Sequence, residues 1–206
     1  MSLRHSLLAI LTAEDMTGYD LVKYFDGTVA YLWSAPHSQI YPELRKMEAA
    51  NLIKATEVPR GQKATKREYS ITEAGKEELR RWVMEIHSLP AERDLSRLKA
   101  AYIDWGSYET GRRQLQNHLN HWSEVSSQRK LVIDDVNADA VPLLNRRLEI
   151  RPAEEHRAIK ELKEFAFKGS VYRAEAEIRW AKEGLALLDD LEGSGVPLTG
   201  ESLDSD

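Results

Sequence analysis

The chain has 206 residues, of which 42% are hydrophobic and 31% charged, with a formal net charge of −5 and no cysteine. Disulfides and thiolate chemistry are therefore excluded. No apolar run approaches bilayer-spanning length, and Met1-Ser2-Leu3-Arg4-His5 lacks the charged region and apolar core of a secretion signal. We expect a soluble cytoplasmic protein of one domain or two modest ones.

Leu3 to about Glu14 reads as a helix, with Leu3, Leu7, Ile10 and Leu11 on one stripe. Thr17-Gly18-Tyr19-Asp20 looks like the start of a second, where Thr17 caps and Asp20 takes the capping-box position. That helix carries Leu21, Val22, Phe25 and Val29, and a connector from Tyr31 to Pro36 follows. In His37–Ile53, Ile40, Leu44 and Met47 are spaced four and three apart, which places them on one helix face. Ser38, Tyr41, Arg45 and Lys46 fall away from that face, and Pro42 is read as lying near the first turn. Asn51 tolerates the left-handed conformation that ends helices.

Leu52–Val58 and Arg67–Thr72 read as two strands, with Tyr69 and Ile71 alternating against Glu68 and Ser70. The polar, basic stretch from Pro59 to Lys66 between them is expected to form a hairpin loop, or wing. Thr72-Glu73 caps a further helix to about His87, with Leu79, Trp82, Val83 and Ile86 inward and Gly75 a mild cost in its first turn. Helix, helix, helix, strand, basic hairpin, strand, helix is the order of a winged helix-turn-helix.

Leu89-Pro90 marks a boundary, beyond which the chain looks wholly helical. Leu95, Leu98, Tyr102 and Trp105 define a short helix ended by Gly106-Ser107, and Leu115, Leu119, Trp122 and Val125 the inner face of a longer one to about Val136. Asn137–Pro152 reads as a connector with one helical turn. From about Ala153 to Leu191, Phe167, Val171, Ala174, Ile178, Ala181, Leu185 and Leu188 repeat four-three-four-three as a heptad seam. Its partner is a helix of the same chain, of a second copy, or both. The expected fold is mostly α: a winged helix-turn-helix with a two-stranded wing over 1–88, a helical dimerisation domain over 89–191, and a disordered acidic tail over 192–206.

The net charge is unevenly spread. Arg45–Arg67 holds seven basic residues against two acidic ones, a local balance of +5, whereas the tail from Glu192 carries four acids and no base. Catalysis finds little support, since Gly-rich phosphate loops and Gly-x-Ser-x-Gly elbows are absent, and we expect no enzyme and no cofactor. His118 and His121 are three apart on a helix with Glu124 on the same side, but no third ligand set is evident, so ordinary helix surface is expected there. The five tryptophans (Trp33, Trp82, Trp105, Trp122 and Trp180) are either core and interface anchors or a stack for a flat aromatic ligand. The latter would make this a helical small-molecule binder whose DNA role is secondary.

His-Ser-Gln-Ile-Tyr-Pro-Glu-Leu from His37, Leu52-Ile53, the basic hairpin and Tyr-Ser-Ile-Thr-Glu-Ala-Gly from Tyr69 together resemble the PadR family of bacterial transcription regulators, over Leu3 to about Ile86. The helical half is similar in pattern to the two-helix C-terminal domain of virulence activator alpha. Asn51 stands where that family usually has glycine, and Asn137–Pro152 looks longer than usual. The resemblance implies a homodimeric repressor on a palindromic operator, with no membrane role, in some members released by a small aromatic or lipophilic effector. On that reading the DNA-binding residues are Ser38, Gln39, Tyr41, Arg45 and Lys46 of the recognition helix and Arg60, Lys63 and Lys66 of the wing, with the heptad seam as the dimerisation surface.

Overall fold

The structure, a computed structural model, describes residues 3–25, 36–60, 64–86 and 93–199. It divides into two compact units, Met1–His87 with Asp135–Lys163, and Ser88–Asp134 with Glu164–Asp206. One cut falls between His87 and Ser88, beside the expected boundary, while Asp135–Lys163, expected in the helical domain, groups with the N-terminal unit.

In the first unit, α1 (Leu3–Leu11), β1 (Met16–Thr17), α2 (Gly18–Tyr24), α3 (His37–Ala49), β2 (Ile53–Arg60), β3 (Ala64–Ile71) and α4 (Glu73–Met84) follow in order. Their apolar stripes close one core: Leu7, Leu8, Leu21, Phe25, Ile40, Leu44 and Met47 are fully buried, each contributing about 1.5–3 kcal/mol. The sheet has three strands in the order β1-β3-β2, one more than expected. The two-residue β1 pairs Met16 with Tyr69 and Thr17 with Glu68, which no local pattern reveals. β2 and β3 also run further than expected, to the Arg60–Ala64 pair. Lys66 thus belongs to a strand and not a loop. Pro59 is tolerated because β2 is an edge strand, where a missing amide hydrogen breaks no ladder.

The caps are as the sequence predicts. Thr17 Oγ1 accepts from the Asp20 amide at 3.2 Å and donates to its carboxylate at 2.6 Å. Thr72 Oγ1 accepts from the Gly75 amide at 3.0 Å. Asn51, at φ 56°, closes α3, with its amide donating to Glu48 O and the Leu52 amide to Met47 O, both at 2.9 Å. These two bonds satisfy carbonyls the helix end would orphan. Asn51→Ala should lower stability by about 1 kcal/mol while Asn51→Gly leaves it unchanged, as read from urea denaturation midpoints; equal loss in both variants would contradict the left-handed cap.

Two expectations for α4 fail. The helix ends at Met84, and Glu85 turns extended, so Ile86 is 98% exposed and Val83 is exposed as well. Trp82 does face inward, its ring stacked on His5 at 4.8 Å. Val29, the Tyr31–Ala35 connector with Trp33, the 61–63 turn with Lys63, and the Leu89-Pro90 boundary lie outside the described residues. Completing this unit, the expected connector is a true helix, α7 (Pro142–Glu149). Val136, Leu144 and Leu148 form a small cluster with Val141 and Ile159, Leu143 reaches the main core, and Arg146 pairs with Glu14.

The second unit contains α5 (Leu95–Ala100), a 3-10 turn at Ile103–Trp105, and most of α6 (Tyr108–Asn137) and α8 (Ala153–Gly193). Phe167, Val171, Ala174, Ala181 and Leu188 of the heptad seam are buried within the single chain, and Ile178 and Leu185 partly so. Leu115 of α6 sits against the α8 seam at Gly184, where a Cβ would lie 2.9 Å from its Cδ1. Most of the seam is therefore unavailable to a second copy. Conversely, Leu95, Leu98, Tyr102 and Trp105, the predicted inner face of α5, are 64%, 58%, 62% and 67% exposed. Nor is the expected disorder found over residues 192–199, and 200–206 lie outside the described residues. α8 runs to Gly193, the Tyr108 hydroxyl donates to Val196 O at 2.7 Å, and Leu198 is buried beside Tyr108, Leu115 and Leu188.

Candidate nucleic-acid interface

The interface is built on α3. Its inner face is locked by Ile40, Leu44 and Met47, so its outer face is fixed in direction. His37, Ser38, Gln39, Arg45 and Lys46 are exposed there, and Tyr41 is 47% exposed. Pro36 supplies no side-chain cap, which leaves the first amides of α3 pointing outward without a capping side chain. Such a helix end favours anions. Pro42 is the sixth residue of α3 and lies inside the helix, one turn deeper than expected. It supplies no amide hydrogen to the Ser38 carbonyl, so the N-terminal turn is held by fewer internal bonds.

The hollow beside α3 gathers Tyr19, Tyr41, Arg45, Lys66, Arg67 and Tyr69 from α2, α3 and β3. Tyr41 lies flat against Gly18, where a Cβ would approach its Cε1 to 2.7 Å. A larger residue at that helix start would push the ring aside. The cations differ in availability. Arg67 donates to Glu48 at 2.6 Å, tying β3 to α3, and lies 5.7 Å over the Tyr69 ring. Lys46 is only 4.0 Å from Glu43, which already accepts from Arg4 at 3.0 Å. Lys66 meets Glu68 at 3.9 Å. Arg45 has no ion pair among the described residues. Arg45 and Lys66 are the two of these cations that line the hollow without holding α3 to β3, and Arg45 is the one with no described ion pair.

The structure brings Tyr41, Arg45 and Lys66 together and places Ser38 and Gln39 at the start of the same helix. Arg60 closes β2 at the wing tip. The sequence reading missed Tyr19, which is 73% exposed at the start of α2; its place after the capping Thr17-Gly18 is the signal that would have found it. His118 lies elsewhere, 3.0 Å from Glu177, and His121 packs edge-on against Trp122.

Residues 7–81 match a family profile described as the Transcriptional regulator PadR-like family. The chain is 36% identical over 102 residues to the negative transcriptional regulator PadR of Bacillus subtilis, covering 49% of this chain and 56% of that protein. It is 40% identical over 85 residues to a probable transcriptional regulator of Mycobacterium tuberculosis, covering 41% of this chain and 45% of that protein. The chain thus matches about half the length of these curated relatives. Among solved structures, Bacillus subtilis PadR in complex with operator DNA superposes with a TM-score of 0.70 at 25% identity, covering 92% of this chain and all of that one. The Vibrio cholerae virulence activator AphA gives 0.67 at 27%, covering 92% and 99%. Bacillus subtilis PadR in complex with p-coumaric acid gives 0.65 at 26%, covering 91% and 95%.

Proposed function

We infer, from the membership of this chain in the PadR-like family of transcriptional regulators, that it is a homodimeric cytoplasmic repressor that binds a two-fold symmetric operator and is released by a small aromatic effector. One observation carries the DNA-binding part. The polar face of α3 stands clear of the core, with Tyr41 and Arg45 beside Lys66 of β3. Ser38 and Gln39 meet base edges, Gln39 having the bidentate amide that pairs with adenine. Arg45, Lys46 and the basic residues of the hairpin, Arg60, Lys63 and Lys66, neutralise phosphate, which supplies affinity but little sequence information.

Dimerisation follows from the same reading. One winged helix offers few contacts, whereas two at a fixed spacing select a palindrome. The seam of α8 is mostly covered by its own chain, so the second copy covers the exposed apolar face of Leu95, Leu98, Tyr102 and Trp105. Leu98→Glu with Trp105→Glu should give a monomer in sedimentation at micromolar concentration, with operator affinity reduced at least about tenfold. A dimer that survives both substitutions would place the interface elsewhere.

The operator complex of the similar PadR supports the DNA reading, and its p-coumaric acid complex supports an effector. Selection of bound sequences from random DNA tests the function. We expect an inverted repeat with half-sites about one helical turn, ~10 bp, apart or a multiple of that. No enriched sequence would sink the assignment and favour a helical small-molecule binder instead.

A further inference from the structure

α3 carries two carboxylates, Glu43 and Glu48. An acid left unpaired on this helix would repel phosphate. Each is instead engaged by an arginine from another element. Arg4 of α1 donates through Nε to Glu43 at 3.0 Å, and Arg67 of β3 donates to Glu48 at 2.6 Å. At ~100° per residue, Glu43 and Glu48 lie about 70° to either side of the buried face of Ile40, Leu44 and Met47. The two bridges therefore grip the helix from opposite flanks.

Apolar packing decides which face of α3 turns inward, but it is non-directional. A small roll of the helix about its own axis therefore costs the core little. A roll of ~10° carries a side-chain tip about 1 Å, at the ~5–6 Å radius of a helix with its side chains. That shift takes a donor out of the ~2.7–3.2 Å range of a good hydrogen bond to a base edge. A long arginine or lysine follows a phosphate oxygen over the same distance with little loss. Charge-assisted hydrogen bonds are short and directional, and one on each flank opposes roll in both senses. Ser38 and Gln39 need this most, because Pro42 leaves their turn with fewer internal bonds. Arg67 is itself held from a second side, 5.7 Å from the centre of the buried Tyr69 ring.

We propose that Arg67 and Arg4 are positioning residues for base readout, setting the roll of α3 through Glu48 and Glu43. Arg67 lines the hollow with Arg45 and Lys66 and yet is not a phosphate contact. The proposal deepens the DNA-binding part of the proposed function and rests on it. The two roles open to Arg67 leave different signatures. A phosphate contact adds affinity for every sequence and steepens the salt dependence. A positioning residue adds to the preference for the operator over other DNA and leaves the salt slope alone. Removing Glu48 separates them further. Were Arg67 a phosphate contact, loss of the nearby acid would strengthen binding to all DNA and keep the preference. With the clamp, that loss lowers the preference as far as loss of Arg67 does.

Anisotropy titrations of the full chain on the selected operator and on a random duplex of equal length, over a range of salt, test the idea. Glu48→Gln and Arg67→Gln should each lower the operator-to-random affinity ratio at least about fivefold, the size of a base-pair mismatch. The double variant should lose no more than the worse single one, because both act through one bond. Its net charge equals the parent's, and its salt slope should stay within about half a unit of the parent's. Arg4→Gln, at a residue outside the hollow, should lower the ratio likewise. Urea midpoints should stay near the parent's, since an ion pair this exposed adds little to stability. A smaller fall in the ratio, additive losses in the double variant, or a slope lower by about one unit would overturn the positioning role, and the last would make Arg67 a phosphate contact. Relaxation dispersion of the α3 amides, measured without DNA, should show exchange in the variants that the parent lacks. Parent-like α3 amides in every variant would overturn the clamp whatever the DNA result. A parent with no preference for any operator would sink the DNA reading and the readout role with it, while a loosened α3 in the variants would still show the clamp.

Discussion

Replacing Gly75 with alanine is expected to cost the winged-helix unit about 3 kcal/mol or more. A Cβ at this position would lie 2.1 Å from the carbonyl oxygen of Leu52 and 2.9 Å from Ile71 Cγ1. The obstacle is backbone, so no rotamer change relieves it. The Leu52 carbonyl is further committed, accepting from the Thr72 amide at 3.1 Å and from the Thr72 hydroxyl at 3.0 Å. Moving it would break the junction between β2 and the cap of α4. In a helix interior, glycine to alanine normally stabilises, so the sign of the effect is diagnostic. Urea denaturation of the variant and parent reads it directly, and an unchanged or raised midpoint would mean that α4 does not approach β2 this closely.

Arg45→Ala combined with Lys66→Ala should weaken operator binding at least about 100-fold near physiological salt, taking about 1.5–3 kcal/mol for each charged hydrogen bond lost. The plot of log affinity against log salt should flatten by about two units per protomer, since each lost phosphate contact removes about one released counterion. The loss should be similar across operator variants, because phosphate contacts carry little sequence information. Lys54→Ala is the control: Lys54 is exposed on β2 but does not line the hollow beside α3. An unchanged salt slope in the double variant would remove Arg45 and Lys66 from the interface, even if affinity fell for other reasons.

Much of this site was legible in the chain itself. The four-three spacing of Ile40, Leu44 and Met47 fixed which side of α3 faces out, and all three are fully buried. Thr17, Asn51 and Thr72 act at the helix ends where their chemistry placed them. Each of these signals is local, spanning a turn or two. What stayed hidden depends on distant partners. β1 is two residues long and exists only because β3 lies beside it. Gly75 looked like a small entropic penalty, and only the approach of Leu52 shows that a side chain has no room there.

The seam of α8 was legible as apolar but not as to what covers it, because a heptad pattern is the same for a partner in cis or in trans. The face of Leu95, Leu98, Tyr102 and Trp105 was misjudged for the same reason. Its periodicity said that it must be covered and could not say that no described part of the single chain covers it. The hairpin was read as too short because the stretch from Pro59 to Lys66 is polar and basic, whereas an edge strand and its neighbour carry such residues, and Pro59 too, out to the Arg60–Ala64 pair. Of the tryptophans, only their three-dimensional neighbours separate Trp82, stacked on a histidine, from Trp122 and Trp180, which wall a cavity.

The return of the chain after α8 bears on how a helix of 41 residues keeps its last turns. A free helix end frays, because its final carbonyls lack donors and opening there costs little. Here Gly195, at φ 68°, reverses the chain, the amides of Gly195 and Val196 donate to Glu192 O and Leu191 O, Tyr108 grips Val196 O, and Leu198 tucks against Leu188. Those few residues act as a clasp that ties the end of α8 to the start of α6. Amide hydrogen exchange across 188–193 should consequently be as slow as in the middle of the helix, and shortening the chain to residue 193 should let it fray.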